Sequence, residues 1–181
     1  MPRLPVQDIP VGVRDLVVVH TGPRWDSTTW PAVLWEDLLA KLHKQGLKAW
    51  RVGFNTEWKF SALDADTNGK MNAAQIAGLM QHARCGIFLD GYPLQIAQAV
   101  GLPAVAIFGA TSPLAVVHDR SLDGPRRPKV KVLQATSACA PCYRPMEPRA
   151  ICQNNRRNMC MHEITVDRVL AAVSEVIRPC V

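Results

Sequence analysis

The chain alternates between short unbroken apolar runs and longer stretches in which apolar residues return every three or four positions. Residues 15–20, DLVVVH, are too few for a helix and too apolar for a surface, and predict a buried strand ending at His20. A polar loop follows over residues 21–29. Trp30-Pro31 then opens a helical pattern in which Leu34, Leu38 and Leu42 recur every fourth position, Trp35 and Leu39 widen the stripe, and Gly46 ends it. Both tryptophans are read as core. Residues 47–52 predict the next strand, before Gly53. Residues 59–70 fit neither period. From Met71 a second helical pattern (Ala74, Ile76, Ala77, Met80) leads into a strand over residues 85–89. Asp90-Gly91 stops that strand, and Pro93 suits the first turn of a helix, whose N-cap would be Asp90. Its inward positions are Ile96, Ala97, Ala99 and Val100, and Gly101 closes it. Residues 104–108, AVAIF, repeat the buried-strand signature. Residues 129–133 alternate lysine with apolar residues, as an exposed edge strand does. The chain closes with a helix over residues 164–177, with Val166, Val169, Leu170, Val173, Val176 and Ile177 inward.

Strand, helix and strand at such short intervals join as right-handed parallel units. The expected fold is therefore α/β, a Rossmann-like parallel sheet with helices on both faces, in one domain over residues 15–181 after an irregular lead-in over residues 1–14. Open sheets of this kind bind ligands beyond the carboxyl ends of their strands. The loop after His20, the turn at Asp90 and Gly91, and the small-residue loop ATSP at residues 110–113 leave by those ends. No G-x-G-x-x-G and no G-x-x-x-x-G-K-[ST] is present, which removes the dinucleotide fingerprint and the P-loop.

Composition adds limits. The 181 residues are 48% hydrophobic and 20% charged, ordinary for one folded domain. No apolar run approaches a membrane span and the first residues lack a signal-peptide pattern, so a cytoplasmic location is expected. The net charge of +6 is concentrated: residues 120–157 hold nine Lys/Arg (Arg120, Arg126, Arg127, Lys129, Lys131, Arg144, Arg149, Arg156, Arg157) against Asp123 and Glu147. Such a stretch is either a solvated face or a landing site for an anionic acceptor, a phosphorylated glycan or a nucleic acid. Of six cysteines, four fall in a loop over residues 137–162. Cys139-x-x-Cys142 with Cys152 and Cys160 makes a thiolate set for structural zinc, with His162 to spare; free thiols are the competing reading.

Four segments together resemble the C-terminal, sugar-nucleotide-binding half of the ADP-heptose:lipopolysaccharide heptosyltransferases, glycosyltransferase family 9. His20-Thr21-Gly22 is similar to the family's strand ending. Trp30-Pro31 with Trp35, Leu38 and Leu42 matches W-P-x-x-x-W-x-x-L-x-x-x-L, and Gly53 with Glu57 matches its strand-end glycine and following glutamate. Residues 90–103 and 108–113, DGYPLQIAQAVGLP and FGATSP, parallel the hallmark D-[ST]-G-x-x-H-x-A-x-A-x-G-x-P and F-G-x-T-x-P, and the cysteines with Cys160-Met161 parallel the family's cysteine-rich end. The chain departs from the family at Gln95, where the hallmark has His, at Gly91-Tyr92 in place of Ser/Thr-Gly, and at Thr28 or Thr29, where a basic residue precedes Trp-Pro.

The resemblance implies a single GT-B half-domain that binds a nucleotide-activated sugar for inverting, metal-independent transfer. Thr21, Gly22, Thr28, Asp90, Gly91, Tyr92, Gln95 and Thr111 would line the donor site, Arg24 would replace the lost cation, and Glu57 would accept from the nucleoside. The family's acceptor-binding half, with the acid expected to deprotonate the acceptor, has no counterpart in these residues, so no catalytic base is assigned. A partner chain or a second copy is the expected complement. Two other classes stay open: a non-catalytic sugar-nucleotide-binding module, and a nucleic-acid-directed protein using the basic cysteine loop.

Overall fold

A computed structural model describes residues 5–7, 12, 14–22, 26–53, 58–117, 129–143, 152 and 158–179. The elements run β1 (Leu16–His20), α1 (Ala32–Lys44), β2 (Lys48–Arg51), β3 (Ala65–Asp66), α2 (Ala73–Gln81), β4 (Cys85–Leu89), α3 (Tyr92–Val100), β5 (Ala104–Phe108), β6 (Val130–Gln134), α4 (Met159–His162) and α5 (Val166–Val176). All six strands lie in one sheet in the order β3-β2-β1-β4-β5-β6, every neighbour parallel. This is the doubly wound Rossmann order. The chain winds from β1 out to β3, returns to the other side of β1 as β4, and winds the opposite way to β6.

Crossovers of one hand that reverse their direction carry their helices to opposite faces. On one face Val17, Val19, Ile87, Val105 and Ile107 pack with the α1 and α5 side chains; on the other Leu16, Val18, Phe88, Ala104 and Ala106 pack with α2 and α3. β1, β4 and β5 are thus buried on both sides along their whole length, which is why they read as unbroken apolar runs. Trp30 and Trp35 are core residues, edge to face at 4.9 Å, and the Trp30 indole donates to the Ile164 carbonyl at 2.9 Å. That bond fastens the entry of α1 to the entry of α5. No helix among the described residues is long and apolar enough to cross a membrane.

Three details differ from expectation. The stretch over residues 59–70 contains a strand, β3, of two residues paired to β2 through Trp50–Ala65 and Arg51–Asp66. Two residues carry no periodicity, and the element is held by side chains instead: Arg51 Nε and Nη2 bind the Asp66 carboxylate and Nη2 also donates to the Trp58 carbonyl at 2.7 Å. In α3 the buried residues are Pro93, Leu94, Ile96 and Ala97, while Val100 is half-buried and Ala99 exposed. Ala99 lies two positions past Ala97, more than half a turn round the helix. The N-cap of α3 is Gly91 rather than Asp90, and no side chain caps it.

The 137–162 loop is clasped at both ends. The Glu163 carboxylate accepts from the Thr136 and Ser137 amides at 2.9 and 3.0 Å and from both hydroxyls. The Ser137 hydroxyl bond, more than any other contact, holds that carboxyl below its usual range.

Replacing Trp30 by Phe keeps the ring but strands the Ile164 carbonyl, so Trp30→Phe should lose about 1–3 kcal/mol of unfolding free energy, read from urea midpoints.

Candidate functional site

Because every strand is parallel, their carboxyl ends share one edge, and winding reverses there between β1 and β4. Val17 to His20 pair in register with Cys85 to Phe88, so Thr21-Gly22 and Leu89-Asp90-Gly91 leave the sheet side by side. Gly22 takes φ +67°, a conformation that favours glycine, and turns the chain off β1. On the far side of β4 the tip of β5 supplies Gly109, Ala110 and Thr111. The edge thus gathers Thr21, Gly22, Asp90, Gly91, Tyr92 and Thr111 from the sequence-predicted set. Thr28 is buried in the loop leading to α1, close behind the same edge in the chain. Arg24 and Glu57 lie outside the described residues.

The polar chemistry of this edge is unfinished. His20 Nδ1, Thr21 Oγ1 and Thr111 Oγ1 are all buried and none has a hydrogen-bonding partner. Buried polar groups are nearly always paired, and an unpaired one costs about 1–3 kcal/mol. Beside them is the N-terminus of α3, nine residues long, with Pro93 in its first turn and no side-chain cap. The start of a helix carries the positive end of the helix dipole, which favours an anion. Gln95 is exposed and turned from this cluster: its amide donates to the Val116 carbonyl at 3.3 Å, as Gln98 does at 3.1 Å. Both glutamines therefore hold the segment after Thr111 against α3.

His20 is the residue whose surroundings the sequence did not disclose. It is 6% exposed, in a slot formed by the ends of β2 and β4. A Cβ on Gly53 would stand 2.8 Å from its Cδ2, and a Cβ on Gly91 2.9 Å from its Cε1. Tyr92 flanks it, ring centroids 6.5 Å apart. Burial pushes the imidazole down to about 4, against an opposing main-chain contact with Leu89, so it is neutral near pH 7. The signal in the sequence was the glycine closing each neighbouring strand.

The cysteines form a second cluster. Cys160 is buried, Cys142 and Cys152 half-buried and Cys139 exposed, and none is in a disulfide. Burial first, then the nearby Cys139, Cys152 and Cys142, push the Cys160 thiol up to about 11. Among the described residues no three His, Cys, Asp or Glu side chains are arranged to hold an ion. The cluster adjoins the site: the Tyr143 amide donates to the Ala110 carbonyl at 2.8 Å, and a Cβ on Gly109 would meet Met161 and Cys160. Of the basic segment, Lys129 and Lys131 are engaged by Glu175 of α5, while its seven arginines lie outside the described residues.

The model of glycosyltransferase family 9 (heptosyltransferase) matches residues 5–150. No curated protein matches the chain. Among solved structures, the iron-containing dodecameric glycosyltransferase TibC from enterotoxigenic E. coli H10407 is similar at 17% identity and TM-score 0.76, over 96% of this chain and 49% of that one. TibC has also been solved in complex with ADP-D-beta-D-heptose. E. coli ADP-heptose LPS heptosyltransferase II is 16% identical, TM-score 0.66, over 92% and 47%. A family 9 glycosyltransferase from Veillonella parvula DSM 2008 is 18% identical, TM-score 0.66, over the same shares. The chain spans about half the length of the structures it matches.

Gly91→Ala should cost about 1–3 kcal/mol through the clash with His20, and His20→Ala in the same chain should recover most of it; urea denaturation of the four members of the cycle measures the coupling.

Proposed function

The chain belongs to glycosyltransferase family 9, and from that premise we propose that it binds a nucleotide-activated sugar of the ADP-heptose kind for inverting transfer. The observation carrying this reading is the set of unpartnered buried hydroxyls beside the uncapped start of α3. The donor's diphosphate lies between the Thr21-Gly22 loop and the Asp90-Gly91 turn, over the α3 amides. Thr21, Thr28 and Thr111 supply hydroxyl donors, and Gly91 admits the phosphate close to the main chain. Tyr92 flanks the diphosphate, Arg24 adds a cation from the β1 loop, and Glu57 accepts from the nucleoside. Gln95 acts from behind, steadying the Thr111 segment through Val116.

In the transfer, the bond from the anomeric carbon to the diphosphate oxygen breaks while the acceptor oxygen bonds on the opposite face. The leaving diphosphate gathers negative charge, and the amides and hydroxyls are already oriented to receive it. The acceptor's proton goes to a base that this chain does not assign. The loss of the hallmark His at Gln95, with its amide committed to Val116, favours a second reading in which the domain binds the donor without turning it over.

We also propose that Cys139, Cys142, Cys152 and Cys160 hold a structural metal, zinc being the expected ion for four thiolates. The donor set fits in kind, since none of the four sulfurs is in a disulfide and all are near enough to one another to raise the Cys160 thiol. Binding must draw the other three in towards Cys160 and deprotonate them. A bound metal would brace the loop that abuts Gly109 and Ala110.

Calorimetric titration with ADP-heptose should show binding, weakened about tenfold in Thr21→Val and in Thr111→Val. Absence of binding to ADP-heptose and other nucleotide sugars overturns the reading, and binding without turnover on any acceptor selects the module. Elemental analysis of purified protein should find about one thiolate-bound metal per chain, with a lower unfolding temperature after chelation.

A further inference from the structure

We infer that His20 is a binding residue for the donor's diphosphate, a buried neutral imidazole that takes up a proton when the anion arrives and so supplies the cation missing before Trp30-Pro31. This rests on the donor-site reading above and adds a residue and a charge to it. His20 stands at the reversal point itself, the last residue of β1 and opposite Phe88 of β4. Its ring spans from β2 to α3: the Cδ2–Nε2 edge lies against Gly53 and the Cε1–Nδ1 edge against Gly91, the residue that caps α3. Nδ1, on the α3 side, is buried without a partner. An anion held at the start of α3 therefore sits next to Nδ1, the imidazole nitrogen on that side.

The two glycines explain how the ring comes to be there. Any side chain at Gly53 or Gly91 would displace it, and Gly53 also takes φ +139°, a conformation L-residues rarely adopt. A histidine needed only to fill space would be replaced at less cost by an apolar side chain, with no stranded nitrogen.

The free protein keeps His20 uncharged through burial. The ionisable groups on the surrounding elements are Asp90 and Tyr92 on the β4–α3 side; beyond Gly53 come the Arg51–Asp66 pair, internally neutralised, and Lys70, which binds the Asp66 carbonyl. A negative charge within about 4–6 Å raises a pKa by about 1–3 units. A donor diphosphate therefore lifts His20 from about 4 towards the physiological range. The sign follows: since the bound form holds its proton more tightly, affinity is greatest at low pH and falls as pH rises through the bound value.

The probe is ADP-heptose, whose doubly esterified diphosphate has no proton to lose between pH 5 and 8. Carbon-13 NMR of histidine-labelled protein, with His20 assigned by its absence in His20→Asn, should show its pKa rising by about two units on saturation. Calorimetry should show affinity falling about fourfold from pH 5.5 to 7.5, with proton uptake, and His20→Asn should bind more weakly at pH 5.5 with a flat profile. If ADP-heptose binds but the His20 pKa stays unchanged, this inference is overturned and the donor site stands. If neither ADP-heptose nor ADP-glucose, UDP-glucose or GDP-mannose binds at any pH, both fall together. The NMR arm uses the unaltered protein except for assignment, so poor folding of His20→Asn does not protect the idea.

Discussion

Between β1 and β4 the two halves of the sheet meet along one parallel ladder, from Val17 opposite Cys85 to His20 opposite Phe88. Each strand is followed by a crossover of the same hand, but the crossovers leave in opposite directions, so no connection bridges the space above the pair. Two loops emerge there side by side, free to carry polar groups that neither core needs. Everything distinctive about the site derives from that ladder. It brings the Thr21 loop next to the Asp90 turn, aims α3 away so that its N-terminus faces the gap, and sets His20 between the glycines of its two neighbours. A register shift of one residue would turn His20 into the other core and destroy the arrangement, which both buried faces oppose.

Polar groups elsewhere in the interior are handled differently. The Arg51 guanidinium, 1% exposed, is tied to Asp66 and to the Trp58 carbonyl, and lies 5.2 Å from the Phe60 ring. Burial drives the Asp66 carboxyl up, yet Arg51 and the Asn68 amide pull it net below its usual value, so the pair is ionised, with Arg51 Nη1 left without a partner. The Trp30 indole spans to Ile164. In these places the fold spends a buried polar group to pin a loop or join two helices. At the sheet edge, by contrast, His20 Nδ1 and the Thr21 and Thr111 hydroxyls make no such tie. These three groups fall at adjoining strand ends, where a ligand can reach the edge of the sheet.

Much of this was legible in the sequence because the core strands are buried on both faces. Continuous runs such as LVVVH and AVAIF admit few alternatives, and the stripes of α1 and α5 fell where their periods put them. The parallel order and the shared edge followed from connection lengths. β3 was not legible, since two residues held by an arginine leave no pattern. The cap of α3 was misassigned because Asp before Gly-x-Pro is a frequent cap, whereas here Gly91 takes the position and no side chain caps the helix. His20 was read as ordinary strand-end structure. Its environment depends on Gly53 and Gly91, separated by 38 positions in the chain and brought together only by β1–β4 and β1–β2 pairing.

The cysteine loop joins this account through the tip of β5. Gly109 has no side chain and Met161 and Cys160 occupy that space, while Tyr143 holds the Ala110 carbonyl and Gln134 holds those of Phe108 and Gly109. Thr111, next in the chain, is therefore braced from one side by the loop and from the other by Gln95 and Gln98 through Val116. Such bracing fixes the Thr111 hydroxyl in place, so it loses little freedom on meeting a partner. The loop's ends are clasped by Glu163 without any help from the thiols. The residues of the loop that bear on Gly109 and Ala110 are Cys160, Met161 and Tyr143. The state of the cysteines thus bears on how firmly the tip of β5, and Thr111 after it, is held.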